Sequence, residues 1–241
     1  MVIKVYLHQQ TIKNMLRRFT LLLILVFAFH TAQSQILISL LLGDKLNNGK
    51  LEFGLDGGLS LSNLSGLDNS DYLRTFNLGF YFDFKLKKQP WMVHTGVIVK
   101  STMGADDLPI YALNNTNLDS VFAGGDVQRR LSYFNVPILI KYNFKNHIYA
   151  EAGPQLGLFY KAFDEFSNVY DDNTLTYEKD VRKRYHTLDA GVTVGLGYRL
   201  FKGNGMNLGV RYYHGLVDVA ASPGENMANR SWYFVAGIPI G

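Results

Sequence analysis

The sequence predicts an all-β fold: an eight-stranded antiparallel transmembrane up-and-down β-barrel with short periplasmic turns and long external loops, preceded by a short N-terminal amphipathic helix. Three observations lead there. Alternation of apolar and polar residues recurs eight times between Leu51 and Ile240, and a period of two is the mark of a strand with two unlike faces. The apolar faces of those stretches carry no Asp, Glu, Lys or Arg. Lipid exposure selects for that, because a charge at the bilayer midplane costs a barrel about 2–4 kcal/mol. The connections between stretches alternate short and long, as in outer-membrane barrels.

In chain order, residues 1–34 read as a secretory signal peptide, with Met15 as a candidate true start. Arg17 and Arg18 precede the apolar run Phe19 to Phe29, and Ala32-Gln33-Ser34 supplies small residues for cleavage after Ser34. The apolar run is too short for a transmembrane helix, which needs about 20 residues. Residues 35–50, with ILISLLLGD from Ile36, are apolar without alternation and are expected to form a periplasmic or interfacial segment. An extra strand or a partner-binding segment is the rival reading there. Residues 51–241 make the barrel.

The eight stretches are Leu51–Leu61, Arg74–Lys87, Trp91–Lys100, Ser132–Phe144, Ile148–Tyr160, Leu188–Leu200, Met206–Leu216 and Ser231–Ile240. The second is the clearest: Phe76, Leu78, Phe80, Phe82, Phe84 and Leu86 on one face, Asn77, Gly79, Tyr81, Asp83 and Lys85 on the other. Each stretch is close to the 9–11 residues a tilted strand needs to cross a bilayer. Lys87–Pro90, Lys145–His147 and Phe201–Gly205 are the short turns; Leu64–Tyr72, Gly104–Gln128, Lys161–Arg184 and Val219–Asn229 are the long loops. Trp91, Tyr142, Phe144, Tyr198 and Phe201 then gather at one rim, and Tyr160, Tyr185, Tyr212 and Trp232 at the other, as interfacial girdles.

ILISLLLGDKLNNGKLEFGLDGG, FNLGFYFDFKL, NVPILIKY and YAEAGPQLG together resemble the PorT-type outer-membrane β-barrel protein family of Bacteroidetes. The resemblance covers most of the chain after residue 35. It implies the barrel and the outer membrane of a Gram-negative cell, and leaves the activity open, since most of that family has no defined role.

Composition excludes several function classes. The formal charge is +4, from 24 Lys and Arg against 20 Asp and Glu. Four of those bases lie in residues 1–35, so the remainder is neutral and offers no footprint for nucleic acid. The chain has no Cys, so no disulfide supports it. None of His94, His147, His186 and His214 has Ser two residues on, which weakens a lipid-modifying enzyme. No zinc spacing and no phosphate-cradling Gly motif is present. Catalytic, cofactor-binding and metal residues are therefore expected to be absent.

The polar faces hold Glu52, Asp56, Asp83, Glu151 and Asp189 with Lys85, Lys100, Lys141, Arg199 and Arg211. An eight-stranded barrel is just wide enough for side chains to fill, and an unpaired buried charge is costly. The expectation is an interior closed by ion pairs among Lys141, Glu151, Asp83, His94, Asp189, Arg199 and Arg211. Pairing Phe144 with Ile148 across the turn puts Lys141 opposite Glu151, and Pro137 one step from Pro154. Two residues without N–H groups should break the ladder there. Pairing Leu86 with Trp91 puts Asp83 opposite His94.

The resulting reading is a non-enzymatic barrel with a structural or interaction role through its loops. A narrow channel for small solutes, or an accessory component of a secretion system, is the alternative. Partners are outer-membrane lipid and lipopolysaccharide, with a protein partner at the external loops or the N-terminal segment. The loop from Lys161 to Arg184 offers acids for divalent ions and the run Arg182-Lys183-Arg184 for lipopolysaccharide phosphates, or is simply a solvated surface.

Overall fold

A computed structural model of the chain describes residues 49–67, 70–87, 90–170, 173–203, 205–222, 224 and 226–240. The expected signal segment 1–34 lies outside the described residues, as do residues 35–48 of the segment expected to carry the helix. The strands are β1 (Leu51–Ser65), β2 (Leu73–Lys85), β3 (Trp91–Leu108), β4 (Asp126–Asn143), β5 (Ile148–Tyr170), β6 (Asn173–Asp180), β7 (Leu188–Arg199), β8 (Asn207–Gly215) and β9 (Ala228–Pro239). A short helix α1 (Thr116–Phe122) precedes β4, and α2 (Leu200–Gly203) follows β7. Among the described residues no helix is long and apolar enough to cross a membrane.

Eight strands close a ring. β1 pairs with β2, β2 with β3, β3 with β4 and β4 with β5. The ring continues from β5 to β7, β8 and β9, and β9 returns to β1. All pairings are antiparallel. Closure leaves no strand edge inside the ring, which is what lets strands cross a bilayer. β6 stands outside the ring and pairs with the far half of β5, from Phe163↔Asp180 to Tyr170↔Asn173.

The alternation decides the two faces. Outward residues are exposed all round the ring, including Phe80, Phe84, Ile140, Leu156, Val194, Leu196, Val210 and Phe234. Ring contacts cluster at both margins. Trp91 meets Tyr142 at 4.7 Å and Tyr142 meets Phe144 at 4.9 Å near the short connections. Phe134–Tyr160 and Tyr212–Trp232 lie at 4.6 Å each near the long ones.

Four expectations need correction. The long stretches 104–128 and 161–184 are largely regular: β3 and β4 have 18 residues each and β5 has 23, well beyond the 9–11 that cross a bilayer. Tyr185 is not in a girdle but buried, with the Arg129 guanidinium 6.0 Å from its ring. Lys100 does not face inward. The β2–β3 register shifts after Leu78, so that Lys100 opposes Leu78 while Ile98 opposes Gly79. That bulge turns Lys100 outward, its ammonium 5.8 Å from the Phe76 ring, and turns Ser101 in. Lys85, the last residue of β2, is exposed rather than interior.

The register at the proline pair agrees with the turn arithmetic. Lys141 opposes Glu151 and Pro137 opposes Gln155. The β4–β5 ladder is interrupted between Pro137↔Gln155 and Ile140↔Ala152 without a change of register, because proline has no N–H to give it.

Candidate functional site

The interior divides into two layers. Near the short connections it is polar. Near the long connections it is apolar, built from Leu64, Met103, Leu108, Phe122, Val127, Leu131, Phe166, Val219 and others.

The polar layer follows from register. Asp83 opposes His94 on β2–β3, Lys141 opposes Glu151 on β4–β5, and Gly195 of β7 lies between Glu151 and Arg211. The missing side chain at Gly195 lets those two meet: a Cβ there would sit 3.0 Å from both the Glu151 carboxylate and the Arg211 stem. Arg211 is the hub. Its Nε donates to Glu151 Oε1 (2.5 Å), Nη1 to Asp56 Oδ2 (2.9 Å) and Nη2 to His94 Nε2 (3.0 Å). A guanidinium has no acceptor, so His94 Nε2 must accept and Nδ1 carries the proton. That proton points to Asp83 Oδ1 at 2.6 Å. Asp83 Oδ2 accepts from Lys141 Nζ (2.9 Å), and this ammonium also lies 4.2 Å from the Tyr149 ring. The chain Lys141–Asp83–His94–Arg211 thus spans the interior, with Glu151 and Asp56 at its end. A second group sits beside it: Glu52 accepts from Arg199 and from the Tyr81 hydroxyl (3.0 Å).

Of the expected residues, Lys141, Asp83, His94, Arg211 and Glu151 come together, whereas Arg199 and Asp189 lie outside that chain. Lys141 stands opposite Glu151, but its ion pair is with Asp83, because Arg211 reaches across and takes Glu151. Asp189 makes no ion pair among the described residues; its Oδ2 accepts from Asn229 Nδ2 at 2.8 Å. Sequence reasoning also missed Asp56 and Glu52 as the partners of Arg211 and Arg199, since β1 meets β8 and β7 only across the ring.

The apolar layer continues past the ring into an outer cap. α1 starts at Asn115, whose side chain accepts from the N–H groups of Asn117 and Leu118 (3.1 and 3.3 Å). Asp119 reaches back to the N–H groups of Leu113 and Asn115 (2.6 and 3.2 Å). Such reciprocal bonding fixes a helix start and drives Phe122 inward onto Phe166 and Tyr177. Arg129, Asp164 and Lys179 oppose one another on β4, β5 and β6. Arg129 binds Asp164 through Nε (2.8 Å) and Nη2 (2.7 Å), and the Tyr111 hydroxyl donates to the same carboxylate (2.8 Å). Burial, then the Asp164 charge, push the Tyr111 phenol well above its ordinary pKa, so it stays a donor. Two clefts flank Tyr111. One of about 420 Å³ is lined by Ile110, Leu113, Asp119, Phe122 and Phe166. The other, of about 680 Å³, is lined by Tyr111, Lys179, Asp180, Val181, Arg182, Lys183 and Arg184. Among the described residues no group of His, Asp and Glu is placed to hold a metal ion.

The family model described as "Outer membrane protein beta-barrel domain" matches residues 31–221. The chain belongs to that family. This outer-membrane barrel is accordingly placed in the outer membrane of a Gram-negative cell, and its exposed apolar face is the one that meets lipid. Solved structures similar to it include Ail, the attachment invasion locus protein of Yersinia pestis, at 13% identity over 79% of this chain and 99% of that one, TM-score 0.42. Neisserial surface protein A is similar at 12% identity over 79% and 96%, TM-score 0.38. OprG from Pseudomonas aeruginosa is similar at 15% identity over 79% and 93%, TM-score 0.33. No curated protein matches the chain.

Proposed function

We propose that this outer-membrane barrel is a non-enzymatic, non-conducting anchor that presents a recognition surface on its long-connection end, outside the cell. One observation carries the reading: the interior is filled at both levels. Lys141, Asp83, His94, Arg211 and Glu151 are all nearly fully buried and bonded to one another across the ring, and the apolar layer lies above them. A permeating ion would have to displace paired charges that have no water to fall back on, which is costly. What remains for function is the cap, where loops and the β5–β6 arm hold the clefts. The finer assignments belong with this reading: an up-and-down PorT-type barrel, a cleaved segment 1–34, and an interfacial segment 35–50 on the periplasmic side.

Single-channel recording in planar bilayers tests it. The expected trace is flat across ±100 mV; steady, ohmic steps from the purified wild-type protein would instead show a pore and overturn the anchor.

A further inference from the structure

Among the described residues the buried charges do not balance. Six carboxylates lie inside: Glu52, Asp56, Asp83, Glu151, Asp164 and Asp189. Four cations face them. Lys141 holds Asp83, Arg129 holds Asp164, Arg199 holds Glu52, and Arg211 is shared between Glu151 and Asp56. Asp189, 1% exposed, is left without an ion pair. Its place in the ring explains this. Asn135 of β4, Gly157 of β5 and Asp189 of β7 form one row of directly opposed residues. Along β4, Lys141 lies six residues from that row in one direction and Arg129 six in the other. At about 3.3 Å per residue each stands on the order of 20 Å away, out of reach. The neighbours of the carboxylate are neutral: Asn229 Nδ2 at 2.8 Å, the Tyr213 hydroxyl and the Ala190 N–H. Arg230 adds some field from β9. Its Nη1 donates to the backbone carbonyls of Gly215 and Asn229 (2.7 and 3.0 Å), not to Asp189.

Oxygens without donors gather around the same row. Asp189 Oδ1, Asn135 Oδ1 and Asn229 Oδ1 are buried and accept no hydrogen bond among the described residues. Asn135 directs its Nδ2 to Ser101 Oγ (2.8 Å), and Asn229 directs its own to Asp189 Oδ2 (2.8 Å) and Tyr133 Oη (3.1 Å). Each amide therefore presents its oxygen to the remaining space. Gly157 keeps the row open: a Cβ there would stand 2.8 Å from Asn135 Oδ1 and 3.2 Å from Asp189 Cβ. The Asn135 oxygen is thus turned over Gly157 toward Asp189.

We propose that Asp189, Asn135 and Asn229 hold a monovalent alkali cation, sodium, inside the barrel. An uncompensated buried charge is costly, and so is each buried acceptor left without a partner. A proton on Asp189 would remove the charge, but as a single donor it would leave an amide oxygen unmatched. Water would serve the oxygens and leave the charge. An alkali cation meets both needs at once. A divalent ion fits less well, because calcium takes 6–8 oxygens and magnesium an octahedron, whereas one carboxylate supplies a single negative charge. The bound ion is part of the filled interior and does not permeate. The site is independent of which end of the barrel faces outward.

The test uses the full barrel folded in phosphatidylcholine vesicles, with sodium chloride exchanged for choline chloride at constant total salt. The midpoint of the heat-modifiable transition should rise with sodium, by roughly 3 °C per tenfold once the site saturates. Asp189→Asn should abolish that rise, and Asn135→Ala should shift it to at least tenfold higher sodium. The wild-type protein alone gives a second reading: passed into choline buffer, it should retain about one sodium per barrel by atomic emission. Equal midpoints in sodium and choline would overturn the proposal, as would a sodium response that survives Asp189→Asn. A wild-type barrel that carries no sodium at saturating concentration would overturn it too. A midpoint that follows pH but not the choice of cation would assign the site to a proton instead.

Discussion

At the scale of single residues, the interior charges are held by geometry that tolerates little change. Lys141 is 2% exposed and its ammonium is shared between Asp83 and the Tyr149 ring. Lys141→Met would strand the Asp83 carboxylate, and removing one partner of a buried pair costs about 3–5 kcal/mol. The double variant Lys141→Met/Asp83→Asn should be less destabilised than the single one; urea unfolding in vesicles measures the order. A single variant that unfolds like wild type would show that the pair is not buried. Asp218, on the connection after β8, behaves differently because it is only half-buried and its partners are backbone N–H groups. It accepts from the N–H groups of Ala220 (3.0 Å) and Met227 (2.9 Å), and those bonds hold its carboxyl below the usual carboxylate range. A carboxyl lowered in the folded state contributes stability above its unfolded pKa and loses it as pH falls through the lowered value. The protection of the Ala220 and Met227 amides, measured against their intrinsic exchange rates, should therefore fall on acidification below the ordinary carboxylate range, and Asp218→Asn should remove that dependence.

At the scale of elements, the ring was legible and the cap was not. Eight stretches, their faces and two hairpin registers could be read from the sequence because lipid imposes a strict rule on one face: no charge from Phe76 to Leu86, or from Leu188 to Tyr198. Beyond the membrane that rule ends. Ala162, Asp164 and Phe166 do alternate inward, but Lys161, Glu165 and the acids around them read as a solvated loop. The opposing residues Arg129 and Val127 lie on another strand. The bulge that turns Lys100 outward has a local trace only in the break of alternation at Val99-Lys100-Ser101. Gly104 marks a second special place: its φ is +143°, and a Cβ there would meet Arg129 O at 1.9 Å. The ion-pair partners were half legible. Neighbours along a hairpin follow from turn length, whereas Arg211 reaching Glu151 and Asp56 depends on closure of the ring. The arm itself depends on Arg129. Arg129→Met leaves Asp164 buried and unpaired, with a cost of about 3–5 kcal/mol. Limited proteolysis should then cut between β5 and β6 while the ring stays heat-modifiable; an arm as resistant as wild type would contradict the role given to this pair.

At the scale of the whole molecule, the chain arranges three environments along one axis: paired charges near the short connections, an apolar layer beyond them, and a cap with two clefts. An apolar belt surrounds the ring. In the proposed function this scaffold fills its own interior and leaves recognition to the end that projects furthest, where β3, β4, β5 and β6 extend past the ring. The account depends on which way that end points. The chain contains no cysteine, so single-cysteine variants report position without background. Thr176, exposed on β6, and Asn146, exposed in the turn between β4 and β5, mark the two ends. The deciding measurement is labelling of Thr176→Cys and Asn146→Cys by a membrane-impermeant maleimide on intact cells. Thr176→Cys should label at once, and Asn146→Cys only after the outer membrane is permeabilised. Labelling of Asn146→Cys with protection of Thr176→Cys would place the arm in the periplasm and contradict the account.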